Sequence, residues 1–377
     1  MKKILVIFGT RPEAIKLAPL IKELKKEKKF RTVVCYTGQH KDMVKNILKL
    51  FDIKVDYDLK IMKKNQDLFD VTAGSVLKLK GVLDIVKPDL LIVQGDTTTA
   101  FTASLSAFYK KIKVAHIEAG LRSYNNFHPF PEEVNRRFIS ILAGFHFAPT
   151  GSAADNLIKE GISKANVFIT GNTVVDAVTE IKKKFSETGT KKEIEKFIKQ
   201  FLPGDFFEKK YILITLHRRE KFGPELEKTL RLLKDIAVNS EYNFVYPVHL
   251  NPNIQAPAKK ILKNIKNVYL LPPLDYLPFT YLMNKCHFII TDSGGIQEEG
   301  YIFKKPVIVM REVTERQEAV KAGYAFLAGN DEKKVKNIYS YIDKKINTGY
   351  NFFRSKNPFG DGKASKKIVN IIFKKLV

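Results

Sequence analysis

Short apolar runs alternate with longer stretches in which apolar residues recur at three- and four-residue spacing, a pattern of strands joined by helices. The runs fall at Ile4–Phe8, Thr32–Thr37, Leu90–Val93, Val114–Ile117, Phe145–Ala148 and Val167–Thr170. This rhythm predicts βαβ units and a parallel sheet. Several runs stop at polar or glycine-bearing turns: Gly38-Gln39-His40, Gln94-Gly95-Asp96-Thr97, Glu118-Ala119-Gly120 and Thr170-Gly171-Asn172. Right-handed crossovers put such turns along one sheet edge, facing a common crevice. A Lys/Glu-rich helical stretch from Val174 to Asp205 interrupts the rhythm, which resumes with Tyr211–Leu216, Phe244–Val248, Val268–Leu271, Phe288–Thr291 and Val307–Met310. The expected fold class is α/β, with Rossmann-like domains at 1–172 and 173–358 whose parallel sheets face a central cleft. A short helix, Ala364–Leu376, within a tail at 359–377, is expected to pack back on the first domain.

With 377 residues and 44% hydrophobic content, the chain is long enough to bury a core in each of two domains. No apolar run approaches the roughly 20 residues that span a bilayer. The opening Met1-Lys2-Lys3-Ile4 reads as the approach to a first strand and lacks the features of a secretory signal. A cytoplasmic protein with no membrane insertion is therefore expected. Cys35 and Cys286 sit apart in apolar runs, the setting of buried structural thiols. The formal charge of +25 raises nucleic acid as a partner. The excess, however, is nearly all lysine, scattered in pairs such as Lys25-Lys26 and Lys110-Lys111 on polar helix faces, with no helix-turn-helix, zinc-ligand spacing or aromatic-basic RNA signature. A solvated surface without a nucleic-acid partner fits that scatter.

Candidate chemistry gathers at the strand ends. The first strand stops at Gly9-Thr10-Arg11-Pro12 and passes into a helix pattern carrying Lys16, which brings two cations and a helix amino terminus to one place. Such a place attracts an anion, above all a phosphate. In the second half, Ile289-Ile290-Thr291-Asp292-Ser293-Gly294-Gly295 is a strand, a small-residue turn and a helix start, where paired glycines let a diphosphate approach the backbone. Glu299, one helical turn on, is the best placed carboxylate for ribose hydroxyls. No G-x-G-x-x-G follows the first strand and no Walker loop occurs, which weighs against dinucleotide redox chemistry and P-loop phosphoryl transfer. Asp96, Glu118 and one of Glu132 or Glu133 stand where carboxylates divide acid and base work, facing the cations Arg11, Lys16, Arg136 and His217. No histidine pair has metal-ligand spacing, so no metal site is expected. His249 has equal claims as a structural residue and as a ligand contact.

Together these residues resemble the non-hydrolysing UDP-N-acetylglucosamine 2-epimerases, nearly end to end. The resemblance rests on Gly-Thr-Arg-Pro-Glu-Ala-Ile-Lys at 9–16, Gly-Asp-Thr-Thr-Thr at 95–99, Glu-Ala-Gly-Leu-Arg at 118–122 and Pro-Glu-Glu with Asn-Arg at 131–136. It continues through Thr-Gly-Asn-Thr at 170–173, His-Arg-Arg-Glu at 217–220, Tyr-Pro-Val-His-Leu-Asn-Pro at 246–252 and Thr-Asp-Ser-Gly-Gly-Ile-Gln-Glu-Glu at 291–299. It implies a glycosyltransferase-B-like fold with the nucleotide in the interdomain cleft, a homodimer, and no metal or NAD cofactor. The implied reaction is epimerisation at C2 of UDP-GlcNAc to UDP-ManNAc by elimination of UDP to 2-acetamidoglucal and re-addition.

Carried across, the resemblance puts the uridine near Phe279, Ser293, Gly294, Gly295, Glu299 and Arg316, and the diphosphate against Arg11, Lys16 and His217. Asp96, Glu118 and Glu132 would share the proton transfers, with Arg136 beside the substrate. Gln39 and His249 match a region where the family's substrate also acts as an allosteric activator. Asp42 and Asn65 stand there in place of the Gln and Arg of the pattern, which leaves such activation open, while Leu216 and Gln317 depart from it without removing a charge. The alternatives are a UDP-sugar glycosyltransferase of the same fold and a hydrolysing epimerase that releases ManNAc and UDP.

Overall fold

The computed structural model describes residues 1–377 apart from 39, 40, 64, 65 and 219–221, and leaves aside the side chains at 41–43. Gln39 and Asn65, with the side chain of Asp42, thus lie outside the described residues.

Most of the apolar runs become strands buried on both faces, the environment that a parallel sheet covered by helices imposes, while the edge run at Val167–Ile169 stays partly exposed. Among the described residues, β1 (Lys2–Phe8), β2 (Phe30–Tyr36), β3 (Tyr57–Asp58), β4 (Leu90–Gln94), β5 (Lys113–Ile117), β6 (Phe145–Ala148) and β7 (Val167–Ile169) form one parallel sheet in the order β3-β2-β1-β4-β5-β6-β7. A second parallel sheet holds β8 (Tyr211–Thr215), β9 (Asn243–Pro247), β10 (Val268–Leu271), β11 (Ile289–Thr291), β12 (Val307–Val309) and β13 (Ala325–Leu327), in the order β10-β9-β8-β11-β12-β13. Both sheets reverse direction of growth beside their first strand, between β1 and β4 and between β8 and β11. Open α/β sheets bind ligands outside the carboxyl ends of the strands at such a switch point.

The chain divides into two compact units, Met1–Thr179 with Phe359–Val377, and Glu180–Pro358. The passage from the first to the second falls inside the helix Thr173–Lys184, beyond the boundary at 172 that the change of pattern suggests. A continuous helix carries no turn residue to mark such a crossing. In the first unit Leu5, Ile7, Leu91 and Val93 meet Leu79, Leu83 and Ala103 from the covering helices in one buried cluster. The tail helix Ala364–Leu376 packs on the Arg11–Lys26 helix of the same unit. Its first turn is held by Asp176, whose carboxylate accepts the N–H groups of Ala364 (3.1 Å) and Ser365 (2.8 Å). In the second unit Phe206, Tyr211 and Tyr281 are buried around the start of β8, with the Tyr211 hydroxyl donating to the Leu282 carbonyl at 2.7 Å.

Candidate functional site

In the first unit the polar groups assemble loop by loop at the carboxyl ends of β1, β4 and β5. After β1 the chain turns at Gly9, where any side chain would collide with the hydroxyls of Thr37 and Thr99, so only glycine lets the strand pass directly into the Arg11–Lys26 helix. Arg11 begins that helix half-buried, Pro12 follows in its first turn, and Lys16 is buried one turn further. Lys16 Nζ stands 2.5 Å from Glu118 Oε2, and Asn172 Nδ2 donates to the same oxygen at 2.6 Å. Glu118 adopts a left-handed backbone (φ 65), sparse for a non-glycine residue and held here by its surroundings.

The β4 turn lies alongside. Gly95, itself at φ 72, donates its N–H to the Ile117 carbonyl at 2.9 Å, and a Cβ at Gly95 would come within 3.9 Å of Glu118 Oε1. The Gly95 carbonyl accepts from His116 Nε2 at 2.7 Å. Burial presses the His116 imidazole down to about 3, so it is a neutral donor at ordinary pH. Asp96 is gripped by Arg136, whose Nε and Nη2 lie 2.9 and 2.7 Å from Asp96 Oδ2, while Asn135 Nδ2 donates to the Asp96 carbonyl at 2.9 Å.

Between Glu132 and Glu133 the structure draws a distinction. Glu133 is buried, accepts the N–H groups of Ser123 (2.9 Å) and Tyr124 (3.2 Å) and takes Arg136 Nη1 at 3.1 Å. It is the clamp of the loop that leads into the Glu132–Leu142 helix, whereas Glu132 is half-buried in that helix's first turn.

The second unit builds its strand ends on backbone and imidazole. Asp292, buried after β11, accepts the N–H groups of His217 (2.9 Å) and Arg218 (3.1 Å), and its other oxygen lies 3.2 Å from His217 Nδ1. Burial works to raise the Asp292 carboxyl, but the bonds and charge of His217 and the backbone N–H groups prevail and hold it below its ordinary value. The His217 ring is stacked toward that of His249, centroids 6.5 Å apart, and His249 Nδ1 accepts the Asn251 N–H at 3.1 Å.

Ser293 precedes the Gly294–Ile302 helix without using its hydroxyl as the helix cap; its N–H donates to Thr291 Oγ1 at 2.9 Å. The Arg316 guanidinium lies over Gly294, so close that a Cβ there would stand 3.1 Å from Nη1. Above Gly295 there is open space. Arg316 Nε is bonded to Glu298 Oε1 at 2.8 Å, which occupies that carboxylate, and Glu299 beside it is buried. Phe279 is half-buried in the first turn of the Tyr276–Lys285 helix, which follows β10.

Arg11, Lys16, Asp96, Glu118, Glu132 and Arg136 thus belong to the strand ends and loops of one unit, and His217, His249, Phe279, Ser293 to Gly295, Glu299 and Arg316 to those of the other. Three participants escaped the reading of the residues, Asn172, Asp292 and Glu13, while Glu133 stood there only as the alternative to Glu132. Glu13 carried a signal, since Thr10-x-x-Glu13 is the spacing of a capping box. A cavity of about 520 Å³ at the opposite, amino edge of the first sheet is lined in part by lysines, Lys87 and Lys111 among them. Its Lys2 and Lys110 are paired with Asp89 and Asp84, and it holds none of these residues.

Two open parallel sheets of doubly wound order, each with its polar groups at the switch point, define a glycosyltransferase-B-like α/β protein with two Rossmann-like units. Residues 22–373 match the family model described as UDP-N-acetylglucosamine 2-epimerase. The chain is 50% identical over 383 residues to the UDP-N-acetylglucosamine 2-epimerase of Campylobacter jejuni, covering 99% of this chain and 98% of that one. The crystal structure of the Neisseria meningitidis UDP-GlcNAc 2-epimerase bound to UDP-GlcNAc is similar at a TM-score of 0.94 and 46% identity, over 99% of this chain and 100% of that one. The Methanocaldococcus jannaschii enzyme in complex with UDP-GlcNAc and UDP is similar at 0.84 and 31%, with 99% of each chain covered. The chain belongs to the UDP-N-acetylglucosamine 2-epimerase family.

Proposed function

We propose that this chain interconverts UDP-GlcNAc and UDP-ManNAc by the non-hydrolysing route, in the cytoplasm and without metal or NAD. The observation that carries the reading is the grouping at the ends of β1, β4 and β5, where Glu118 is held by Lys16 and Asn172, and Asp96 by Arg136. Epimerisation at C2 requires a carboxylate to take the C2 proton as the C1–O bond breaks. The C–H electron pair becomes the C1=C2 double bond of 2-acetamidoglucal, and UDP leaves with the pair from C1–O. An oxygen of UDP then adds back to C1 while a proton is delivered to the opposite face of C2. Asp96, Glu118 and Glu132 share these proton transfers.

Arg11, Lys16 and His217 stabilise the departing diphosphate, and fixed charge of this kind is usually the largest catalytic term. Arg136 holds Asp96 in place beside the sugar. On the second unit Phe279, Ser293, Gly294, Gly295, Glu299 and Arg316 take the uridine. The buried anchor of His217 on Asp292 and the open space above Gly295 support that assignment. His249, in ring contact with His217, is where an activating second nucleotide-sugar would be sensed.

The test is purified protein with UDP-GlcNAc alone in heavy water, read by NMR. UDP-ManNAc with deuterium at C2 is expected. Product without deuterium overturns the elimination, free ManNAc with UDP makes the enzyme hydrolysing, and no change until an acceptor is added makes it a transferase. No helix among the described residues is long and apolar enough to cross a membrane.

We also infer a homodimer. The adjacent helices Leu68–Val86, Thr98–Tyr109 and Glu132–Leu142 expose Leu77, Ile85, Phe108, Tyr109, Phe138 and Ile141. An apolar face of that breadth suits a second copy of the same chain. Light scattering at twice the chain mass, reduced to one chain by Ile141→Glu with Phe108→Glu, is the expected result.

A further inference from the structure

Glu13 is a fully buried carboxyl whose two oxygens receive four hydrogen bonds. Oε2 accepts the N–H of Gly9 (3.1 Å), the N–H of Thr10 (2.8 Å) and the hydroxyl of Thr10 (2.7 Å), and Oε1 accepts the hydroxyl of Thr97 (2.8 Å). The first three donors belong to the loop that presents Arg11, and the fourth to the loop that presents Asp96. Thr97 is also the cap of the next helix, accepting the N–H of Ala100 at 3.0 Å. One side chain therefore ties two site loops and two helix starts together. Four converging donors call for a group that only accepts, which among uncharged side chains has no equal: an amide would turn its NH2 toward one set of donors.

We propose that Glu13 is a positioning residue for the epimerisation, its ionised carboxylate keeping Arg11, a diphosphate-holding cation, in register with Asp96, a proton-transfer group. The inference rests on the reaction proposed above. Its basis is the four-donor clamp, and the energetics of burial give it a distinctive signature. Desolvation lifts the carboxyl from 4.5 to about 7, against the pull of its bonds to Thr10, Thr97 and Gly9. Those are its largest influences; other titratable groups at the carboxyl ends of β1, β4 and β5 are Arg11, Lys16, Asp96, His116 and Glu118. A carboxyl whose folded value is raised binds its proton more tightly folded than unfolded, so its stabilising contribution is complete below 4.5 and is lost as pH rises through about 7. The form that clamps the loops is the less stable form of the protein.

Removing the charge should consequently lower turnover and also abolish the fall in stability with rising pH that the raised carboxyl imposes on the wild type. In the full chain with UDP-GlcNAc as substrate, Glu13→Gln is expected to lower kcat by about 10- to 100-fold while KM and UDP affinity stay within about threefold. Its melting temperature relative to wild type should rise between about pH 5.5 and about pH 8. Thr97→Val, which keeps Glu13 but cuts the link between the loops, should lower kcat in the same way, and Thr97→Ser should recover most of that loss. A kcat within about twofold of wild type in both Glu13→Gln and Thr97→Val overturns the proposal. So does a Glu13→Gln variant that loses activity and also grows less stable than wild type as pH rises, since that is the mark of a structural residue. A wild type that leaves UDP-GlcNAc unchanged overturns the reaction itself, and this role with it, in the control before any variant is compared.

Discussion

In the first unit the strand ends carry carboxylates gripped by cations, Glu118 by Lys16 at 2.5 Å and Asp96 by Arg136 at 2.7 Å. In the second, built on the same strand order, the buried carboxylate of Asp292 turns to backbone N–H groups and an imidazole, and the helix that follows opens with two glycines. The scaffold is common; the electrostatics are not. Carboxylates fixed in place by neighbouring cations are suited to moving a proton, because acid and base work needs the group held within hydrogen-bond reach of the reacting atom. Backbone amides and glycine, joined in the second unit by the Arg316–Glu298 pair, are suited to holding the part of a ligand whose bonds do not change.

The strongest way to break the contrast is to neutralise a carboxylate of the first unit. Asp96→Asn and Glu118→Gln are each expected to lower kcat by about 100-fold or more, with UDP affinity by calorimetry nearly unchanged. Both replacements preserve size, so the cation beside each keeps a hydrogen-bonding partner while the proton acceptor is gone. Loss of UDP affinity equal to the loss of turnover would erase the division of labour between the units.

A smaller effect of opposite kind is expected in the second unit from Gly294→Val. The guanidinium of Arg316 lies where even a Cβ would press to 3.1 Å, so the larger side chain must displace Arg316 from Glu298. UDP binding should weaken by about 10-fold, with kcat at saturating substrate changed far less. A fall in kcat with UDP affinity intact would mean that Arg316 serves the chemistry and not the uridine.

How much of this was legible beforehand follows from where the signals sat. Strands ending in Gly-Thr-Arg, Gly-Asp-Thr and Asp-Ser-Gly-Gly point to a parallel sheet with polar groups at its carboxyl edge, because strand period and turn chemistry are both local. β3, two residues at Tyr57–Asp58, and β13, three residues at Ala325–Leu327, are too short to show a period and exist only through pairing with β2 and β12. The choice between Glu132 and Glu133 turned on which one the helix aims at the loop of Ser123 and Tyr124, a tertiary fact. Asp292 stood within a quoted motif, yet its role as the seat of His217 depends on β8 and β11 being neighbours although far apart in the chain. Glu13 was hidden differently: the capping-box spacing explains it locally, and its bond to Thr97 becomes apparent only when β1 and β4 lie side by side.

The mildest perturbation touches a remaining difference, that the first unit is completed by the chain's last residues whereas the second is one continuous segment. Asp176 caps the Ala364–Leu376 helix through two backbone N–H groups. Burial raises its carboxyl, against the pull of the Ser365 and Ala364 N–H groups, so part of the value of the cap is offset by the cost of keeping the charge there. Asp176→Ala should therefore destabilise by about 1 kcal/mol, the usual worth of an N-cap. For a unit of this size that lowers the melting temperature by about 2–4 °C. The helix is also held by packing, as in the contact of Phe373 with Phe30 at 6.2 Å, so it should stay docked and kcat should be unchanged. A large loss of activity in Asp176→Ala would mean that the tail helps to set the Lys16–Glu118 pair, through the Arg11–Lys26 helix on which it packs, and the division between scaffold and chemistry in the first unit would have to be redrawn.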